Sequence, residues 1–199
     1  RLGSLAQVFY GEPAQGLTLV GVTGTNGKTT VATLVWSLLR ALGVPASLLG
    51  TTGGTILDRP LGGSGKDEGP ALTTADPVRL ARWMREMRRA GSTHLVMEVS
   101  SHALDQNRVQ GLSFDVGAFT NLSHDHLDYH GSMHDYARAK KRLFEGLTSG
   151  ATAVLNAQDP VAADMAEGCA AKIWCLAESD AQGEAVAPPE GVWRLGDVR

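Results

Sequence analysis

The sequence predicts an α/β protein built as a doubly wound, mostly parallel sheet with a P-loop at one strand-to-helix junction. Short apolar runs at residues 17–20, 44–49, 94–99, 114–119, 151–155 and 172–176 alternate with stretches whose apolar residues recur at helical spacing. Such alternation favours parallel strands joined by crossover helices. The junction Val22-Thr23-Gly24-Thr25-Asn26-Gly27-Lys28-Thr29-Thr30 supplies the third observation, a tight glycine turn between a strand and a helix.

Taken in order, Leu2 to Tyr10 reads as the end of a helix from a preceding domain, and 11–16 as a turn-rich linker. A boundary is drawn there: residues 1–16 close an N-terminal domain, and 17–199 form a central one that is incomplete at its C-terminal end. After the glycine turn, Val31, Leu34, Val35, Leu38 and Leu42 share a stripe expected to pack on the sheet, and Gly43 closes the helix. The stretch from Gly50 to Gly69 reads as a glycine-rich loop with a short hairpin at 55–61. Asp76 and Pro77 mark a helix start, with Leu80, Trp83, Met84 and Met87 as its buried stripe. A polar loop at 121–131 precedes a helix at about 132–147, and a further helix is expected near 160–167. The tail after Ala177 carries no assignable pattern. Arg1 in place of Met and that patternless tail give the expectation of a piece of a longer protein.

Composition narrows the function. A net charge of −3 over 199 residues leaves no basic footprint for nucleic acid, and no apolar run suits membrane insertion. Cys169 and Cys175 fit neither a redox pair nor a zinc knuckle, and read as reduced packing residues. The expectation is a cytoplasmic monomer.

The glycine turn carries the first chemistry. A loop poor in side chains lets backbone N–H groups converge on phosphate oxygens, aided by the helix dipole. Lys28 can reach terminal phosphates and Thr29 can offer a hydroxyl to Mg²⁺, which together suit a nucleoside triphosphate. The strict P-loop spacing fails, because its first glycine falls on Val22 while Gly21 comes one place early.

Glu98 closes an apolar strand at the end where ligands bind in such sheets, and a buried carboxylate there is read as a Mg²⁺ ligand beside Thr29. His124, His126 and His130 with Asp125 and Asp128 form either a transition-metal site or a solvated loop in which one histidine works. The implied triphosphate favours Mg²⁺ over zinc. Ser100, Ser101 and His102 sit together at a strand end but lack a nucleophile elbow, so a hydrolase is not favoured. Tyr136, Lys140 and Phe144 recur at helical spacing with Ala137 and Leu143 on one side. Lys140 therefore either snorkels to water or is buried, and a buried neutral amine can add CO₂ to give a carbamate suited to Mg²⁺.

Five ordered motifs then make a family resemblance specific. They are Gly24-Thr25-Asn26-Gly27-Lys28-Thr29-Thr30, Leu72-Thr73-Thr74, Met97-Glu98-Val99-Ser100-Ser101-His102-Ala103-Leu104, Asn121-Leu122-Ser123-His124-Asp125-His126-Leu127-Asp128-Tyr129-His130-Gly131 and Tyr136-Ala137-Arg138-Ala139-Lys140. The set resembles the ATP-dependent Mur ligases of peptidoglycan synthesis, most closely their tripeptide-synthetase (MurE) type, over about residues 2–159. The resemblance implies the central ATP-binding domain of a three-domain enzyme. Such an enzyme adds meso-diaminopimelate or L-lysine, as the third stem-peptide residue, to UDP-N-acetylmuramoyl-L-alanyl-D-glutamate through an acyl phosphate.

By that resemblance Gly24, Thr25, Asn26, Gly27, Lys28, Thr29 and Thr30 hold ATP, while Thr29 and Glu98 hold one Mg²⁺. His126 and a carbamylated Lys140 hold a second Mg²⁺, so Lys28, Lys140 and His126 form the catalytic set. Thr73, Thr74, Ser100, Gln106 and Arg108 match positions that bind the UDP-sugar peptide. Leu72 departs from an asparagine found in some relatives, and His124 occupies a variable position. Recognition of the added diamino acid is placed by the family in a C-terminal domain. Another Mur ligase or a folylpolyglutamate synthetase is the alternative enzyme, and a nucleotide-switch module the alternative class, although no Asn-Lys-x-Asp guanine motif is present.

Overall fold

The computed structural model describes residues 2–61, 72–177 and 193–194. Helix α1 (Leu2–Phe9) and a 3-10 turn (Pro13–Gly16) lead into β1 (Thr18–Thr23), α2 (Lys28–Ala41), β2 (Ala46–Gly50), β3 (Gly53–Ile56) and β4 (Arg59–Pro60). Then follow α3 (Pro77–Arg89), β5 (His94–Glu98), α4 (Ser101–Asp105), β6 (Val116–Phe119), α5 (Leu127–His130) and α6 (Met133–Glu145). The last described elements are β7 (Thr152–Asn156), α7 (Ala162–Ala166), β8 (Lys172–Leu176) and β9 (Trp193–Arg194).

The strands form one sheet in the order β4-β3-β2-β5-β1-β6-β7-β8-β9. All pairings are parallel except β2 with β3 and β3 with β4. The predicted fold class is therefore the observed one, and the expected hairpin forms its antiparallel edge. The glycine-rich loop beyond Leu61 lies outside the described residues, as does the tail after Ala177 except for β9.

Leu19, Leu95, Met97, Phe119 and Leu155 project onto one face of the sheet and meet Leu80, Met84 and Met87 from α3 and Leu143 and Phe144 from α6. Val20, Val22, Leu48 and Val96 project the other way onto α2. Asp76 caps α3 by accepting from the N–H groups of Val78 and Arg79 through its side chain, with Pro77 at the first helical position. Helix α1 packs on α3 across the boundary drawn at residue 16, with Gln7 Nε2 set against Met84 Sδ and Arg85 over the Tyr10 ring.

Three local expectations change. Leu34, Leu38 and Leu42 are exposed at 57%, 63% and 78%. The face of α2 that meets the sheet is instead Val31, Ala32, Val35, Trp36 and Leu39. Two apolar stripes overlap on this helix. The choice falls to the one that seats small Ala32 against the strands and lets the Trp36 indole N–H donate to the Ala46 carbonyl at 3.0 Å.

The strand expected from Val44 starts at Ala46, because the Val44 N–H still closes the preceding helix on Leu39, and Pro45 has no N–H to offer. The polar loop at 121–131 contains the short helix α5. Gly21 also gains an explanation: it lies within β1, where a Cβ would fall 2.9 Å from the Phe114 ring, so it is a packing glycine that stands before the P-loop turn rather than in it.

The corrected burial sets stability expectations. Met84→Ala should destabilise by about 2–5 kcal/mol, Asp76→Ala by about 1 kcal/mol, and Leu38→Ala by less than about 0.5 kcal/mol. Urea unfolding of the three variants measures this order.

Candidate active site

The site grows from the end of β1. Gly24 has φ +147, and a Cβ there would fall 1.9 Å from Thr120 Oγ1, so only glycine lets the turn close against the loop after β6. Asn121 then anchors the turn: its carbonyl accepts from the Thr25 N–H at 2.8 Å and its Oδ1 from the Asn26 N–H at 3.0 Å. Thr25 is buried, with its hydroxyl 3.2 Å from the Tyr136 hydroxyl. Thr25 thus faces the interior, while Asn26, Gly27 and Thr30 are exposed.

Gly27, at φ +82, is the N-cap of α2, so no side chain caps this helix, and its first turn holds no acid. Every α-helix leaves its first N–H groups without intrahelical acceptors. With no side-chain cap at this end, the arrangement fits the N–H donors that a triphosphate requires.

Two lysines converge on one backbone oxygen. Lys28 Nζ donates to the carbonyls of Gly24 and Thr25 at 3.0 and 2.8 Å. Lys140 Nζ donates to the same Gly24 carbonyl at 2.7 Å and lies 4.1 Å from the centre of the Tyr136 ring. Lys140 is 1% exposed, so it does not snorkel. Burial first, and then the charge of Lys28, push its ammonium pKa from 10.5 to about 7. Lys28 also shifts down through burial, opposed by the carboxylates of Glu98 and Asp125.

Beside this pair, Glu98 is 2% exposed and opposite Val22 in the β1–β5 register. Its Oε1 accepts from the Thr51 N–H at 2.9 Å and its Oε2 from the Thr51 hydroxyl at 3.0 Å. A Cβ on Gly50 would fall 2.2 Å from Oε1, so the turn after β2 is shaped around this carboxylate.

The five residues matched to the sugar-peptide site join the same edge. Thr51 Oγ1 lies 3.1 Å from Thr73 Oγ1. Thr74 Oγ1 donates to the Glu98 carbonyl at 2.9 Å and accepts from the Ser100 N–H at 3.0 Å. Arg108 Nη1 donates to the Thr74 carbonyl at 3.0 Å, its Nε donates to Gln106 Oε1 at 2.9 Å, and Gln106 Nε2 donates to the Tyr129 hydroxyl at 3.1 Å. Ser100 is the N-cap of α4, which places Ser101 and His102 in a helical first turn and not at a strand end.

The histidines form a ring cluster. His102 lies 4.9 Å from His126, 4.2 Å from Tyr129 and 5.4 Å from His130, between ring centres. His130 Nε2 is 3.0 Å from Ser101 Oγ. Burial first, then neighbouring positive groups, lower the pKa values of His102 and His130. His124 is exposed, and among the described residues no three His, Cys, Asp or Glu side chains are grouped to hold a metal ion. His126 lies instead at the Tyr136 ring, 6.1 Å between centres, on whose face Lys140 also sits.

Thr51, Asn121 and His102 are the residues that sequence reasoning did not assign. Asn121 and His102 lie inside quoted motifs; for Thr51 the only signal is its place after a strand-ending glycine.

Such a junction defines the domain as a member of the P-loop class. Within that class the chain belongs to the Mur ligase family, whose middle-domain model matches residues 22–187. Over 171 residues it is 45% identical to the UDP-N-acetylmuramoyl-L-alanyl-D-glutamate--2,6-diaminopimelate ligase of Parabacteroides distasonis, covering 86% of this chain and 34% of that protein. A solved structure of a ligase of the same name superposes with a TM-score of 0.70 at 29% identity, covering 89% of this chain and 37% of that one. A bifunctional folylpolyglutamate synthase/dihydrofolate synthase from Yersinia pestis, solved with AMPPNP and a Mn ion, shares the fold at TM-score 0.65 and 20% identity, over 89% and 47% of the two chains. The chain spans about a third of the length of the diaminopimelate ligases it matches.

The lysine burial has a pH signature. Below about pH 7 Lys140 is protonated in both folded and unfolded states, and the folded state carries the full penalty of a buried charge. From about 7 to 10.5 the unfolded state alone holds the proton, so stability rises with pH through that window. Lys140→Met should therefore stabilise the protein most below pH 7, on the order of a few kcal/mol, and the gain should shrink towards pH 10. Denaturant unfolding across pH in CO₂-depleted buffer measures it, and a gain independent of pH would contradict the buried ammonium.

Proposed function

We propose that this chain is the ATP-binding part of a cytoplasmic ligase that joins a diamino acid to UDP-N-acetylmuramoyl-L-alanyl-D-glutamate. The relatives' name favours 2,6-diaminopimelate over L-lysine as that diamino acid. The observation that carries the reading is the meeting, at one sheet edge, of the uncapped α2 N terminus, the two lysines on Gly24 and the Thr51–Glu98–Thr73–Thr74 cluster. Two anions, a triphosphate and a carboxylate, must be brought together there, and a phosphoryl group passed between them.

In this reading the N–H groups that open α2 bind phosphate, and Lys28 swings from the loop carbonyls onto the terminal phosphates. Thr29, Glu98, His126 and a carbamylated Lys140 would hold Mg²⁺, which supplies charge neutralisation during phosphoryl transfer. Thr73, Thr74, Ser100, Gln106 and Arg108 orient the peptide so that its terminal carboxylate faces the nucleotide. The amine of the diamino acid attacks the acyl carbon of the acyl phosphate formed there, the C–O bond to phosphate breaks, inorganic phosphate leaves and the nitrogen loses a proton; no side-chain nucleophile takes part. The crowding of Lys28 and Lys140 supports the carbamate: conversion of one cation into an anion replaces repulsion by attraction.

The full-length protein should release phosphate only when ATP, Mg²⁺, UDP-N-acetylmuramoyl-L-alanyl-D-glutamate and diaminopimelate are all present. Release that ignores the amine or the sugar peptide would overturn the reading. Residues 1–199 alone should bind nucleotide weakly and ligate nothing. Lys28→Ala should abolish turnover, and Lys140→Ala should do so in a way that added short carboxylates partly restore. Arg108→Ala should raise KM for the sugar peptide about 10- to 100-fold, as expected for a lost charged hydrogen bond, with little change for ATP. Equal effects on both constants would make Arg108 structural.

A further inference from the structure

Thr23 is fully buried, and its hydroxyl has no hydrogen-bond partner. A valine would fill nearly the same volume without an orphaned polar group, so the oxygen needs a reason. Strand alternation places Thr23 on the same face of β1 as Gly21, opposite the valines that meet α2. On that face helix α6 descends in step with the strands. Leu147 lies against Gly117, the Phe144 ring meets Phe119, Lys140 reaches the Gly24 carbonyl, and the Tyr136 hydroxyl reaches Thr25. Thr23 is the register partner of Phe119 and the residue before Gly24. It therefore lies beside the rung that Phe144 fills and one residue before the carbonyl to which Lys140 donates.

Neighbouring hydroxyls are committed elsewhere. Thr25 Oγ1 is shared by Ser123 and Tyr136, Thr120 Oγ1 donates to the Asn26 carbonyl at 2.6 Å, and Ser101 Oγ pairs with His130. We propose that the Thr23 hydroxyl is the donor that holds a carbamate on Lys140, which makes Thr23 a positioning residue for that modification. The inference rests on the carbamate reading above.

In the reaction, the lone pair of the neutral Nζ forms a bond to the carbon of CO₂. One C=O π pair moves onto oxygen, and one N–H proton leaves to solvent. The nitrogen keeps one N–H, enough to go on donating to the Gly24 carbonyl, while two oxygens that share one negative charge appear beside it. One can meet Mg²⁺ and the other needs a donor from the protein. Thr23 has that donor unspent.

The test is ¹³C NMR of the full-length protein in ¹³C-bicarbonate, with Thr23→Val, Thr23→Ser and Lys140→Ala, and thermal unfolding of each in CO₂-depleted buffer. A carbamate signal in the parent should vanish in Lys140→Ala. It should need about tenfold more CO₂ in Thr23→Val, the loss of one hydrogen bond to a charged group, and return with Thr23→Ser. Thr23→Val should also unfold at a higher temperature than the parent when CO₂ is absent, because an orphaned hydroxyl is gone. A merely structural hydroxyl would move stability the other way. Parental CO₂ affinity in Thr23→Val would overturn the proposal while leaving the carbamate intact. A parent without the signal would overturn the carbamate reading itself, and the proposal with it. If Thr23→Val fails to fold, Thr23→Ala removes the same donor and is read the same way.

Discussion

The carbonyl oxygen of Gly24 accepts from two lysines, and much of the surrounding structure serves that contact. The oxygen is available because Gly24 adopts φ +147, which turns the chain out of β1 and against Thr120. Lys28 arrives from the first helical position after the turn, and Lys140 from the buried face of α6. Two like charges on one acceptor in a dry environment repel, and burial alone already disfavours the ammonium. In the proposed reading, a carbamate on Lys140 and a bound triphosphate would supply the counter-charges. Without such counter-charges the repulsion makes the arrangement expensive, the kind of conflict between local stability and function that is typical of sites.

Much of the fold was legible because its cues were redundant. The alternation of strands and helices, the Asp76-Pro77 start and the core stripe of α3 each followed from two independent signals. The face of α2 was misread where only one signal existed: periodicity marks a stripe but cannot say which of two overlapping stripes meets the sheet. The decision lay in the depth allowed by Ala32 and in the Trp36 hydrogen bond, both tertiary facts.

At the site, Lys140 was legible because a charged residue broke an otherwise apolar stripe with Tyr136, Leu143 and Phe144. Thr51 was not. Its role depends on the β2–β5 pairing that brings the end of one strand beside Glu98, a long-range relation without local trace in the sequence. Asn121 likewise acts across 95 residues, and only the β1–β6 pairing puts its amide beside the turn. Motif order carried Asn121 and Lys140 into view, but not Thr51; geometry alone gave each of the three its task.

Backbone strain points to the same edge. Four residues other than glycine have positive φ among those described, and two are His126 at φ 51 and Asn107, just before Arg108, at φ 56. L side chains enter this region at a cost, and where the surroundings enforce it the reason is often a side chain that must be aimed. The turn at Asn107 lets Arg108 fold back so that its guanidinium reaches both Gln106 and the Thr74 carbonyl. The turn at His126 sets its ring edge-to-face with those of His102 and Tyr136, and Lys140 lies over that same Tyr136 ring. Of the residues matched to the sugar peptide and to the metal, Arg108 and His126 are thus the two aimed by a strained turn, whereas Glu98 and Lys140 are placed by a regular strand and a regular helix.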